Sequence, residues 1–213
     1  MLLYYITDRK SFVGTLAEQR STLLLRIADA AHAGVDYIQL REKDLSSREL
    51  EGLACEALRA VRENSATSKL LINSRADVAL AVGADGVHLP AGELAASEVR
   101  GLWLKCAGRV PVIGVSAHSA ADIRDAQVQG ASFGVLAPVL EKVPTGTPGI
   151  GLEAFRAACA ESATRGGFAV LALGGVALEN VPDCLAAGAV GVAGIRLFQQ
   201  GDIFETVLRL REL

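Results

Sequence analysis

A (β/α)8 barrel is the fold this sequence predicts, and three observations predict it. Eight short apolar runs recur along the chain, each followed by a helical stretch. Several helical stretches stop on a small residue and glycine just before the next run, at Ala33-Gly34, Val82-Gly83, Gln129-Gly130 and Ala187-Gly188. Polar residues gather where the runs end: Thr7-Asp8, Gln39 to Lys43, Asn73-Ser74-Arg75, His88, Ser116 with His118, Gly174-Gly175 and Arg196. A barrel keeps its ligand chemistry at those carboxyl ends.

The strands are expected at Leu2–Thr7, Tyr37–Arg41, Lys69–Asn73, Gly86–Leu89, Val110–Ser116, Phe133–Ala137, Ala169–Leu173 and Gly191–Ile195. Each is short and apolar, as a strand buried on both faces must be. The first ends in Thr7-Asp8 and lacks the basic region and small-residue cleavage site of a signal peptide. The helices fall between them: Leu16–Ala33, Ser47–Asn64, a short Asp77–Val82, Ala95–Cys106, Ala120–Gln129, Leu152–Thr164, Glu179–Ala187 and Ile203–Arg211. Ser46-Ser47-Arg48-Glu49 marks the second helix start. Gly83-Ala84-Asp85-Gly86-Val87 and Gly188-Ala189-Val190-Gly191-Val192 are near-duplicates that open two of the strands. A doubly wound open sheet fits less well, because no Gly-x-Gly-x-x-Gly follows the first strand and eight units exceed its needs.

The 213 residues, 51% hydrophobic and 21% charged, suit one globular domain over 1–213. No apolar run is long enough to span a membrane. A net charge of -3 gives no general attraction to nucleic acid or an anionic membrane, so any anion site must be local. Cys55, Cys106, Cys159 and Cys184 are widely spaced, which suits reduced packing roles in a cytoplasmic protein. His32, His88 and His118 lack metal-ligand spacing, and zinc is not expected.

Tyr37 to Lys43 is the stretch with most to say. An alternating apolar strand runs into Arg41, Glu42 and Lys43, and charges are costly in a sheet unless they sit at its rim or face a ligand. Arg41 and Lys43 are therefore expected to aim at an anion. Gly174-Gly175 after the seventh strand and Gly194 in the eighth let backbone N–H groups approach a phosphate, and Arg196 adds a fixed cation. His88 reads as a hydrogen-bonded core residue and Trp103 as core. His118, two residues past Ser116, reads either as a base or as a cap of the following helix.

These residues carry a resemblance. Tyr5-Ile6-Thr7-Asp8, Gln39-Leu40-Arg41-Glu42-Lys43, Leu71-Ile72-Asn73, Gly83 to Leu89, Gly114 to Ser119, Gly151-Leu152-Glu153 and Leu173-Gly174-Gly175-Val176 resemble the thiamine phosphate synthase/TenI superfamily in order. The resemblance implies coupling of hydroxymethylpyrimidine pyrophosphate to thiazole phosphate, with release of pyrophosphate and help from Mg2+. It implies a cytoplasmic enzyme, a homodimer, and phosphorylated small molecules as ligands. By resemblance Gln39, Arg41, Glu42, Lys43, Asn73, Ser116, Thr145 and Thr147 bind the pyrimidine pyrophosphate. Gly174, Gly175, Ile195 and Arg196 hold the thiazole phosphate, and Arg41, Lys43, Ser116 and His118 are the expected catalytic set.

The chain departs from the synthase pattern at the metal positions. Ser74 stands where the family has one aspartate, and Pro90-Ala91-Gly92-Glu93 replaces the segment carrying the other, so Ser74 and Glu93 are the candidate Mg2+ ligands. Pro148 replaces the lysine after Thr145 and Thr147, and Lys142 is a candidate substitute. Leu89-Pro90-Ala91-Gly92 resembles TenI-type thiazole tautomerases instead, yet their histidine is replaced by Pro138. A tautomerase using His118 as base and a non-catalytic phosphate-ligand-binding relative therefore stand as alternatives.

Overall fold

A computed structural model describes residues 1–141, 146–164 and 166–213. Eight parallel strands close in sequential order: β1 (Leu2–Ile6), β2 (Tyr37–Leu40), β3 (Lys69–Asn73), β4 (Gly86–Leu89), β5 (Val112–Ala117), β6 (Phe133–Leu136), β7 (Ala169–Ala172) and β8 (Gly191–Gly194). The ring is joined where Tyr5 pairs with Gly194. This is the expected (β/α)8 barrel. Around it run α1 (Leu16–His32), α2 (Ser47–Asn64), α3 (Ala76–Val82), α4 (Ala96–Ala107), α5 (Ala120–Val128), α6 (Leu152–Thr164), α7 (Val181–Ala186), α8 (Arg196–Gln199) and α9 (Ile203–Arg211).

Local chemistry explains where the helices start. Thr15, Ser46 and Ser119 accept from the backbone N–H three residues on, while Glu18, Glu49 and Asp122 reach back to the cap. These capping boxes fix where α1, α2 and α5 leave the barrel mouth. The helix expected at Glu179–Ala187 is split into a 3-10 turn, Leu178–Asn180, and α7. Pro182 lies in the first turn of α7, the place where its missing N–H costs least. The short α8 was not legible in the sequence.

Strand alternation divides the core in two. Leu3 and Tyr5 face the helices with Ile27, Leu53, Trp103 and Phe155. Tyr4 and Ile6 face the barrel axis with Leu71, Phe133, Val135 and Leu171. Three rings plug the axis: Tyr37 stacks on Phe133 at 5.0 Å, and Tyr4 meets Phe133 edge-on at 5.2 Å. Thr7, Arg41, Ala137, Leu173 and Ile195 each fall just past the strand they were expected to end. Thr7, Ala137 and Leu173 still donate their N–H to the neighbouring strand, and Arg41, Ala137, Leu173 and Ile195 line the mouth while Thr7 is buried.

Candidate active site

All eight strand ends contribute to one cavity of about 390 Å³ at the carboxyl face. Its apolar wall includes Ile6, Pro90, Ala137, Leu173 and Ile195. Its polar wall includes Gln39, Arg41, Lys43, Asn73, Ser116, His118 and Arg196, with Gly174 and Gly175 completing the rim. Ten expected site residues are thus brought together. Arg41, Lys43 and Arg196 have no carboxylate in salt-bridge range among the described residues. Three uncompensated cations around one recess give it a local positive potential.

Glu42, grouped with its neighbours as a ligand contact, is buried and lines an adjoining recess rather than this cavity. Its carboxylate accepts from Thr7 Oγ1 at 2.7 Å and from Arg9 NH1 at 2.9 Å. Thr7 Oγ1 in turn accepts from the Arg41 N–H at 2.9 Å. Glu42 therefore anchors the segment that presents Arg41 and Lys43.

His88 was read as core and is also part of the cavity wall. It is 3% exposed, and its ring reaches Tyr4 through Nδ1 at 3.0 Å and Ser116 Oγ through Nε2 at 2.8 Å. Burial first, and the Arg41 charge second, push its pKa down to about 3, so the ring is neutral. The room for it comes from Gly114, where a Cβ would stand 2.8 Å from His88 Nδ1 and 2.6 Å from the Phe133 ring. The sequence signal that could have found this was a polar side chain within an otherwise buried strand.

His118 lies beside the cap of α5 and at the cavity wall. Asp122 accepts from the His118 and Ser119 N–H groups, so the segment caps α5. The ring lines the cavity with Nδ1 2.8 Å from the Ala137 carbonyl. A carbonyl only accepts, so Nδ1 carries a proton, which in the neutral tautomer leaves the lone pair on Nε2.

Gly175 has φ +71°, and a Cβ there would stand 2.6 Å from the Glu141 carbonyl. The loop after β6 donates back through Val139 and Leu140 N–H to the Leu173 and Gly174 carbonyls. The two glycines thus serve loop packing as well as lining the rim. Thr147 is exposed and is not among the residues lining this cavity, while Thr145 and Lys142 lie outside the described residues.

Ser74 and Glu93 line an adjoining recess that shares Lys43 and Asn73 with the main cavity. Ser74 Oγ stands 3.5 Å from Glu93 Oε1, and Asn73 donates to the same hydroxyl at 2.9 Å. Among the described residues no three His, Cys, Asp or Glu side chains cluster as a metal cage would need. One carboxylate and one hydroxyl can hold Mg2+ only as a partial set, with ligand phosphate oxygens and water supplying the rest.

A family model for thiamine monophosphate synthase matches residues 3–198. The chain belongs to that family. It is 38% identical to a putative thiamine-phosphate synthase 2 of Aquifex aeolicus over 92% of this chain and 96% of the relative. It is 37% identical to a thiamine-phosphate synthase of Methanoculleus marisnigri over 99% of this chain and 93% of the relative. Among solved structures, thiamine phosphate pyrophosphorylase from Pyrococcus furiosus aligns with TM-score 0.79 and 26% identity, covering 99% of this chain and 94% of that one. A 3-hexulose-6-phosphate synthase aligns with TM-score 0.71 at 18% identity, a likeness of fold. No helix of the described residues is long and apolar enough to cross a membrane.

Proposed function

We propose that this protein joins hydroxymethylpyrimidine pyrophosphate to thiazole phosphate and releases pyrophosphate. The observation that carries the reading is the convergence of Arg41, Lys43 and Arg196, without carboxylate partners among the described residues, on one cavity of a family member. The reaction breaks the bond from the pyrimidine methylene carbon to the pyrophosphate oxygen and forms a bond from that carbon to the thiazole nitrogen. Charge grows on the departing oxygen, and Arg41 and Lys43 supply preorganised positive groups for it. The apolar wall of Ile6, Leu173 and Ile195 keeps water from the electron-poor carbon. Gly174, Gly175 and Arg196, past the ends of β7 and β8, suit the second phosphate. Mg2+, when bound, would add charge neutralisation at the pyrophosphate, with Glu93 and Ser74 as its protein donors.

Purified protein given both phosphorylated precursors and Mg2+ should release pyrophosphate. Absence of release with either Mg2+ or Mn2+ would sink the reading.

His118 favours a second reading. Its lone pair on Nε2 makes it a base at the cavity wall, as a thiazole tautomerase requires. That activity should appear without metal and vanish in His118→Asn; unchanged turnover in the variant would reject it.

A further inference from the structure

A chain of hydrogen bonds links four strands at the cavity. Gln39 Nε2 donates to Tyr4 OH at 2.7 Å, Tyr4 OH meets His88 Nδ1 at 3.0 Å, and His88 Nε2 meets Ser116 Oγ at 2.8 Å. Tyr4 is 0% exposed, Gln39 1% and His88 3%, so water does not interrupt it. The proton directions follow from what each group can do. An amide nitrogen only donates, so the Tyr4 oxygen accepts from Gln39 and spends its single proton on His88 Nδ1. A neutral imidazole has one N–H, so it sits on Nε2 and donates to Ser116 Oγ. Ser116 Oγ accepts from His88 through one lone pair, and its own proton is left for the cavity.

We propose that Tyr4 and His88 are positioning residues that hold Ser116 as a hydrogen-bond donor toward an acceptor atom of the ligand. The ligand atom facing that proton is then an unprotonated ring nitrogen or an oxygen. The chain of donors ends at Ser116, which lines the cavity. The order of the strands makes it rigid: Tyr4 comes from β1, His88 from β4 and Ser116 from β5, all beside the aromatic plug. The choice of ligand rests on the synthase reading; the direction of the protons does not.

Two measurements test this on the intact protein. Long-range proton–nitrogen correlation NMR should find His88 as the Nε2–H tautomer, and an Nδ1–H tautomer or an imidazolium at neutral pH would overturn the proposal. Tyr4→Phe keeps the ring but removes the donor to Nδ1, and should mix the two tautomers and weaken hydroxymethylpyrimidine pyrophosphate binding about tenfold by calorimetry. In a Ser116→Ala background the same Tyr4→Phe change should cost clearly less than it does in the wild type, because only the part carried through Gln39 remains. Additive losses would assign Tyr4 a packing role and overturn the proposal. Failure of pyrophosphate release with the expected tautomer and non-additive binding would reject the synthase reading and leave this one standing. If Tyr4→Phe does not fold, the wild-type tautomer still decides the direction.

Discussion

Arg9 and Glu42 form a buried ion pair at 2.9 Å, with both side chains under a tenth exposed. Arg9 also binds Asp44 through two hydrogen bonds of 2.7 Å, so the loop after β1 grips both sides of the Arg41–Lys43 turn. The carboxylates hold Arg9 charged, and Arg9 holds Asp44 well below the usual carboxylate range. Removing one partner strands the other in a dry site. Arg9→Met should therefore destabilise by about 3 kcal/mol or more in denaturant unfolding, and Arg9→Met with Glu42→Gln should recover part of it. Activity should fall in Arg9→Met even where the protein remains folded, because Arg41 and Lys43 lose their anchor.

Tyr4 and Tyr5 are adjacent yet face opposite layers, and their hydroxyls should respond in opposite ways. Tyr4 OH has partners on both sides, whereas Tyr5 OH is buried with no hydrogen-bond partner among the described residues. Deleting a satisfied buried hydroxyl orphans its partners; deleting an unsatisfied one relieves desolvation. Tyr5→Phe should be neutral or stabilising by about 1 kcal/mol, and Tyr4→Phe destabilising by a similar amount. Melting curves of the two variants check this.

The neutral His88 predicts an acid-side loss of stability. Its folded pKa of about 3 lies below the unfolded value near ~6.5, so the unfolded chain takes the proton first. The contribution is whole above pH ~6.5 and is lost as pH falls toward about 3. Between pH ~6.5 and pH ~5 it should amount to about 2 kcal/mol. His88→Asn should flatten the corresponding part of the stability–pH curve, measured against wild type by urea unfolding.

Ser74→Asp should strengthen metal dependence. A second carboxylate beside Glu93 makes the recess a two-carboxylate site, which Mg2+ accepts together with phosphate oxygens. Under the synthase reading, the Mg2+ concentration giving half-maximal pyrophosphate release should fall on the order of tenfold. An unchanged Mg2+ requirement would place the metal elsewhere.

The barrel was legible because strands buried on both faces read as short apolar runs, and helix stops punctuate them regularly. The rim was legible for the same reason: polar residues that interrupt such runs at their ends have only the mouth to occupy. Arg41, Lys43, Asn73, Ser116 and Arg196 were found this way. Boundaries near residue 179 were less legible, because Pro182 and the Ala177 turn break one helical stretch into two short elements.

Glu42 and His88 mark the limit. Nothing in Gln39 to Lys43 says that the middle charge turns inward, since its partner Arg9 is 33 residues away and comes from another loop. Nothing in the fourth strand says that His88 joins Tyr4 to Ser116, 84 residues away on one side and 28 on the other. Local sequence determined the strands, the caps and the cations at the mouth, because propensity, periodicity and the cost of burying charge act over a few residues. The closed register of the barrel decided which polar groups meet, because only ring closure brings β1, β4 and β5 side chains to one point.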